Sequence, residues 1–149
     1  GRDILFPEQK QKNCWIKNKK KERGAMDTKK KILVIDDEED IQKLLKIRLE
    51  QEGFIVAIAS DGDKGAKAAE SEAPDLILMD IMMPNVDGYS CLREIRRIQK
   101  TKDIPVVMLS GKEEEKVRDL FAFQKISGYI GKPFELDSLV MKIKEVLKI

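Results

Sequence analysis

Residues 76–80 read Leu76-Ile77-Leu78-Met79-Asp80, four apolar side chains followed at once by a carboxylate, and residues 32–37 read Ile32-Leu33-Val34-Ile35-Asp36-Asp37. Short apolar runs without polar alternation are the mark of parallel strands covered on both faces, and ligands of such folds gather beyond the carboxyl ends of the strands. Three carboxylates are therefore expected to meet at one sheet edge. Two unit charges about 4 Å apart repel by roughly 4 kcal/mol at an effective dielectric of 20, so the cluster must hold protons or a cation. A divalent metal is the reading that suits three acids best.

Outward from these runs, strand and helix patterns alternate from Lys31 onward. Ile41, Leu44, Leu45 and Leu49 form a helical stripe closed by Gly53, Ile55 to Ile58 supply a second strand, and Asp61 to Glu72 read as a short helix before Ala73-Pro74. Beyond Asp80, the loop from Ile81 to Val86 leads to a helix through Leu92, Ile95 and Ile98. Val106 to Leu109 make a fourth strand, and Val117, Leu120, Phe121 and Gln124 a fourth helix. Tyr129-Ile130 form a short fifth strand, and Leu136, Leu139, Val140, Ile143 and Leu147 a fifth helix. Five βα units joined by right-handed crossovers predict a doubly wound α/β fold, an open parallel sheet with helices on both faces.

A chain of 149 residues suits one domain. Its net charge of +2 is uneven: residues 1–25 carry eight Lys/Arg against three Asp/Glu, and residues 26–149 carry 21 against 24. Residues 1–25 are expected to be a basic leader, a cloning remnant or disordered, ahead of a domain over 26–149 that begins at Met26-Asp27-Thr28. No apolar stretch approaches the roughly 18 residues that span a membrane, and the N-terminus lacks the apolar segment of a secretory signal. No membrane insertion is expected, and the expected compartment is the cytoplasm. Cys14 and Cys91 have no metal-ligand spacing and are expected to be free thiols. Histidine is absent, which excludes histidine-based acid, base, metal-ligand or phosphocarrier chemistry from these residues.

Asp36-Asp37-Glu38-Glu39 stand where a nucleotide-binding chain would place glycines to cradle phosphate. Four acids repel a bare phosphate, yet suit Mg²⁺, a hard cation bound through one or two carboxylates, water and substrate phosphate. Asp36 and Asp37 are assigned to the metal, and Glu38 and Glu39 to the N-terminal dipole of the following helix. Asp80 is a third ligand, and a carboxylate beside Mg²⁺ can also attack phosphorus to form an aspartyl-phosphate. Ser110 ends the fourth strand and Lys132 the fifth, so a hydroxyl and an ammonium face the same crevice. Phosphoryl transfer requires positioning and neutralisation of the equatorial oxygens, which this set supplies.

With these residues the chain resembles the receiver domain of two-component response regulators, of the chemotaxis-regulator type. Asp36-Asp37, Asp80-Ile81-Met82-Met83-Pro84 followed by Asp87-Gly88, Ser110 and Lys132-Pro133-Phe134 carry the resemblance, which covers residues 30–149. It implies a flavodoxin-like (βα)5 three-layer sandwich with strand order 2-1-3-4-5. It also implies roles: Asp80 as phosphoacceptor, Asp36, Asp37, Asp80 and the Met82 carbonyl around Mg²⁺, and Ser110 and Lys132 on the phosphoryl group. Tyr129 would follow Ser110 in the switch, and Lys132-Pro133 would be cis. The donor would be a phosphohistidine of a sensor histidine kinase or a histidine phosphotransfer protein. The surface that changes would be that of the fourth helix, fifth strand and fifth helix, through which family members often pair as homodimers. A regulator rather than an enzyme is expected, one that promotes its own phosphotransfer and autodephosphorylation. With nothing after the fifth helix, no direct nucleic-acid contact is expected.

Two other classes fit less well. A phosphatase of the haloacid dehalogenase type wants a second acid two residues after the nucleophile, where Met82 stands. An FMN-binding flavodoxin-like carrier needs a hydroxyl-rich phosphate loop after the first strand, where Asp36 to Glu39 stand.

Overall fold

The computed structural model describes residues 29–81, 88–110 and 126–149. Five parallel strands, β1 (Lys31–Ile35), β2 (Ile55–Ala59), β3 (Leu76–Asp80), β4 (Val106–Ser110) and β5 (Gly128–Gly131), form one sheet in the order β2-β1-β3-β4-β5. The described helices are α1 (Glu39–Gln51), α2 (Gly62–Glu72), α3 (Gly88–Arg97) and α4 (Leu136–Leu147), the last being the helix expected as the fifth. This is the doubly wound α/β fold with the expected strand order. The expected fourth helix through Val117, Leu120, Phe121 and Gln124, the loop from Met82 to Asp87, and residues 1–25 lie outside the described residues. Among the described residues no helix is long and apolar enough to cross a membrane.

Successive side chains of a strand point to opposite faces, so an unbroken apolar strand feeds two cores at once. Leu33, Ile35, Ile77, Met79, Val106 and Met108 pack on one side against Ala66 and Ala69 of α2 and Cys91, Leu92 and Ile95 of α3. Ile32, Val34, Leu76, Leu78, Val107 and Leu109 pack on the other against Leu45 and Leu49 of α1 and Leu139, Val140 and Ile143 of α4. Every residue of the central strand β3 is buried, Asp80 included. Cys91 belongs to this packing: burial, with the charges of Asp63 and Asp61 behind it, pushes its thiol up to about 12, and it serves as a small hydrophobe.

The helix ends are closed by local chemistry. After α1 the Gly53 N–H donates to the Glu50 carbonyl (3.0 Å) and the Phe54 N–H to the Leu49 carbonyl (3.0 Å), with Gly53 at φ +94°. That Schellman closure needs a left-handed residue, and it turns Phe54 into the core beside Leu49. Asp61 caps α2, its carboxylate accepting the Lys64 N–H at 2.8 Å. Leu44 departs from its expected place in the core stripe and is 45% exposed. Neighbours on a helix are about 100° apart, so Leu44 falls off the seam made by Leu45 and Leu49.

Gly88 begins α3 against the backbone that carries Asp80. Its N–H donates to the Ile81 carbonyl at 2.8 Å, and a Cβ here would lie 2.6 Å from the Asp80 carbonyl oxygen and 2.7 Å from Ile81 Cα. Backbone cannot yield as a side-chain tip can. Gly88→Ala is expected to lower unfolding free energy by about 1–3 kcal/mol, the scale of an overpacked interior. Urea denaturation checks this, and an unchanged midpoint would show that the β3 to α3 turn relaxes freely.

Candidate functional site

The β1–β3 register pairs Ile35 with Met79, so the next residue of each strand's path, Asp36 and Asp80, lies at the same sheet edge. Both are buried, Asp36 fully and Asp80 to 4% exposure. On β4–β5 the ladder pairs Ser110 with Gly131, and Lys132 follows at once. Lys132 reaches across the strand ends: its Nζ donates to Asp80 Oδ2 at 3.1 Å and lies 3.6 Å from Asp36 Oδ2 and 3.6 Å from Glu38 Oε1. The Lys132-Pro133 peptide is cis.

Asp36 is fixed from several sides. Its N–H donates to the Ala59 carbonyl at 3.1 Å, its Oδ1 accepts the Glu38 N–H at 2.9 Å, and the Gln42 side-chain amide donates to its carbonyl. Its Oδ2 is buried with no hydrogen-bond partner. Burial raises the Asp36 pKa above the ordinary carboxylate value, the Glu38 N–H works against that rise, and the nearby Asp80 charge adds to it. Burial opposes the charge on Lys132, but the facing Asp80 and Asp36 carboxylates outweigh it and hold its pKa above the ordinary lysine value.

Carboxylate oxygens of Asp36, Glu38 and Asp80 all lie within 4.8 Å of one another. Two buried acids, Asp36 and Asp80, the first with a buried oxygen that accepts no hydrogen bond, match the oxygen ligands of a hard divalent cation. The residues present thus fit a metal. Glu38, assigned by the sequence to the helix dipole, also converges on this pair and faces Lys132, while Asp37 is exposed and is not among the three that converge. Glu38 occupies the N-cap of α1 but makes no side-chain capping bond, which leaves its carboxylate directed to Lys132. Its place two residues after a buried strand-end acid was the available signal. Gln42 carried none, because its partner is a backbone carbonyl six residues back.

Ser110 ends β4 as expected, and its side chain lies outside the described set, as does all of Met82. Tyr129 is half-buried on β5 and packs against the core on the α2 and α3 side.

Residues 32–144 match the family model of the response regulator receiver domain. The chain belongs to this family. Among its relatives is the alkaline phosphatase synthesis transcriptional regulatory protein PhoP of Bacillus subtilis, 40% identical over 119 residues, which are 80% of this chain and 49% of the relative. Another is the phosphate regulon transcriptional regulatory protein PhoB of Escherichia coli, 40% identical over 121 residues, 80% of this chain and 52% of the relative. This receiver domain is also similar in structure to a chemotaxis protein of Vibrio cholerae, with TM-score 0.74, 27% identity, and coverage of 78% of this chain and 98% of that one. The receiver domain of a sensor histidine kinase of Pseudomonas aeruginosa, with magnesium coordinated in its active-site cleft, matches at TM-score 0.73 and 28% identity, covering 80% of this chain and 98% of that one. The chain spans about half the length of the curated relatives it matches. Because these are named transcriptional regulators, the expectation of no nucleic-acid contact has no support from them.

The raised Asp36 pKa has a signed consequence for stability. Between the unfolded value near 3.8 and the higher folded value, the folded state binds more protons, so stability falls as pH rises through that window and stays lower above it. Asp36→Asn removes the charge that burial disfavours and is expected to raise stability at pH 7 in metal-free buffer. The gain should shrink as pH falls toward 4. Thermal melts from about pH 4 to 8 check this, and a variant less stable than wild type at pH 7 would show that the ionised carboxylate stabilises the domain.

Proposed function

We propose that this receiver domain is a signalling phosphoacceptor in which Asp80 takes a phosphoryl group from a phosphohistidine of a sensor histidine kinase or histidine phosphotransfer protein. The observation that carries the reading is the buried Asp80 carboxylate, held at 3.1 Å by Lys132 beside a second buried acid. In the transfer, an Asp80 oxygen forms the new O–P bond while the N–P bond of the donor breaks, and the imidazole keeps the electron pair. Lys132, already against Asp80, would take one phosphoryl oxygen, and Ser110, on the neighbouring strand, another. Mg²⁺, held by Asp36, Asp37, Asp80 and the Met82 carbonyl, would neutralise charge on the transferring group. Support for the cation comes from the converging carboxylates and from the magnesium in the cleft of the Pseudomonas aeruginosa receiver. Hydrolysis of the acyl phosphate would return the domain to its resting state, which makes it a regulator and not a turnover enzyme.

Incubation with acetyl phosphate and Mg²⁺ followed by intact-mass measurement tests this. One phosphoryl group is expected on the wild-type chain and none on Asp80→Asn, and Asp37→Ala, short of one ligand, is expected to remain unlabelled at the same Mg²⁺ concentration. A labelled Asp80→Asn would place the chemistry elsewhere.

The switch would run through Ser110 and Tyr129 to the surface around the fourth helix, β5 and α4. A phosphoryl oxygen on Asp80 would attract the Ser110 hydroxyl and draw the end of β4 inward, giving the Tyr129 ring room to turn. A modification shifts an equilibrium only by its differential stabilisation of the two states, and one charge-assisted hydrogen bond contributes roughly 1.5–3 kcal/mol. That suffices for a ten-fold shift. Ser110→Ala is therefore expected to accept phosphate but respond weakly, read by NMR of Tyr129 with and without beryllofluoride. A full response in Ser110→Ala, or an unaltered ring in wild type, would refute the coupling.

A further inference from the structure

We infer that Glu38 is a positioning residue that governs how freely Lys132 meets an incoming phosphoryl group, an inference that rests on Asp80 being the phosphoacceptor. Three carboxylates surround the Lys132 ammonium, at 3.1 Å from Asp80, 3.6 Å from Asp36 and 3.6 Å from Glu38. Two of them are fixed: Asp36 is fully buried and accepts the Glu38 N–H at 2.9 Å, and Asp80 is buried at the end of β3. The Glu38 side chain is the exception, 60% exposed and without a capping bond to the first turn of α1.

One ammonium among three acids is a shared cation. When Asp80 becomes an acyl phosphate, the phosphoryl oxygens compete with Glu38 for the same N–H groups. Glu38 thereby divides the lysine in the resting domain and continues to draw on it after transfer. It touches Lys132 and not the reacting phosphorus. Its carboxylate also stands at the solvent side of the cluster, where a dianionic donor must enter. Glu38→Gln keeps the length and polarity of the side chain and removes only the charge.

The test uses the full chain with acetyl phosphate as donor at saturating Mg²⁺, following label by intact mass. In Glu38→Gln the half-saturating acetyl phosphate concentration is expected to fall about two- to five-fold, the scale of a partly exposed ion pair, while the maximal rate changes less. After donor removal the phosphoryl half-life should lengthen by a similar factor, and both differences should shrink in added salt, as interactions of an exposed charge do. Glu38→Asp, which keeps the charge, should restore values toward wild type. A half-saturation point and half-life equal to wild type would overturn the inference, as would a fall in maximal rate alone. Half-saturation by Mg²⁺ weakened ten-fold or more would also overturn it, because Glu38 would then be a metal ligand. Absence of label on the wild-type chain would instead refute the phosphoacceptor reading itself.

Discussion

Lys132 holds its ammonium 3.1 Å from Asp80 and 3.6 Å from Asp36, and the charge balance of the site depends on that contact. Two carboxylates about 4 Å apart repel by roughly 4 kcal/mol at an effective dielectric of 20, and desolvation adds to the cost. One lysine offsets part of it. With Glu38 counted, three negative charges face one positive charge, so the cluster keeps a net negative charge and one unsatisfied buried oxygen. A region selected for stability alone would place amides or apolar groups here. That it does not is the physical argument for a site that exchanges charge with a cation or a phosphoryl group.

The fold delivers these groups from distant parts of the chain by strand register rather than by sequence proximity. β1 lies between β2 and β3, so the connections after β1 and β3 leave on opposite sides and open a crevice beyond their carboxyl ends. The pairing of Ile35 with Met79 fixes Asp36 beside Asp80, and the pairing of Ser110 with Gly131 fixes where Lys132 begins. The core enforces those pairings. A shift of one residue would turn Ile32 and Val34 away from α1 and α4 and send Leu33 and Ile35 toward them, exchanging the two faces. Gly88 adds a local constraint, since only a residue without Cβ lets α3 begin against the Asp80 carbonyl.

What was legible in the sequence follows from which interactions are local. The runs Ile32 to Ile35 and Leu76 to Asp80 announce buried strands, because a strand covered on both faces admits no polar alternation, and the acid that ends each run announces the site. Strand order came from the resemblance and not from periodicity, which carries no information about neighbours in a sheet. Leu44 was misplaced because an apolar residue one position from a buried one reads as part of the stripe, whereas its 100° rotation leaves it nearly half exposed. The convergence of Glu38 on Lys132 was not foreseen, because a helix N-terminus explains an acid without further help. Its contact with Lys132 spans most of the domain, and no local pattern reports such a contact.

The position of β5 bears on how a change at the site would spread. Among the described residues β5 pairs only with β4 and closes one edge of the sheet, whereas β3 is paired on both sides and buried throughout. A displacement at Asp80 itself would have to distort two ladders and both cores, which a close-packed interior resists. Lys132 follows directly on β5, three residues beyond Tyr129, and Tyr129 is only half-buried against the core. Movement of the ammonium toward a phosphoryl oxygen would therefore be taken up most easily along β5, where one ladder restrains the backbone instead of two. If Asp80 accepts the phosphoryl group as proposed, the doubly paired centre of the sheet would hold it in place while the singly paired edge took up the movement.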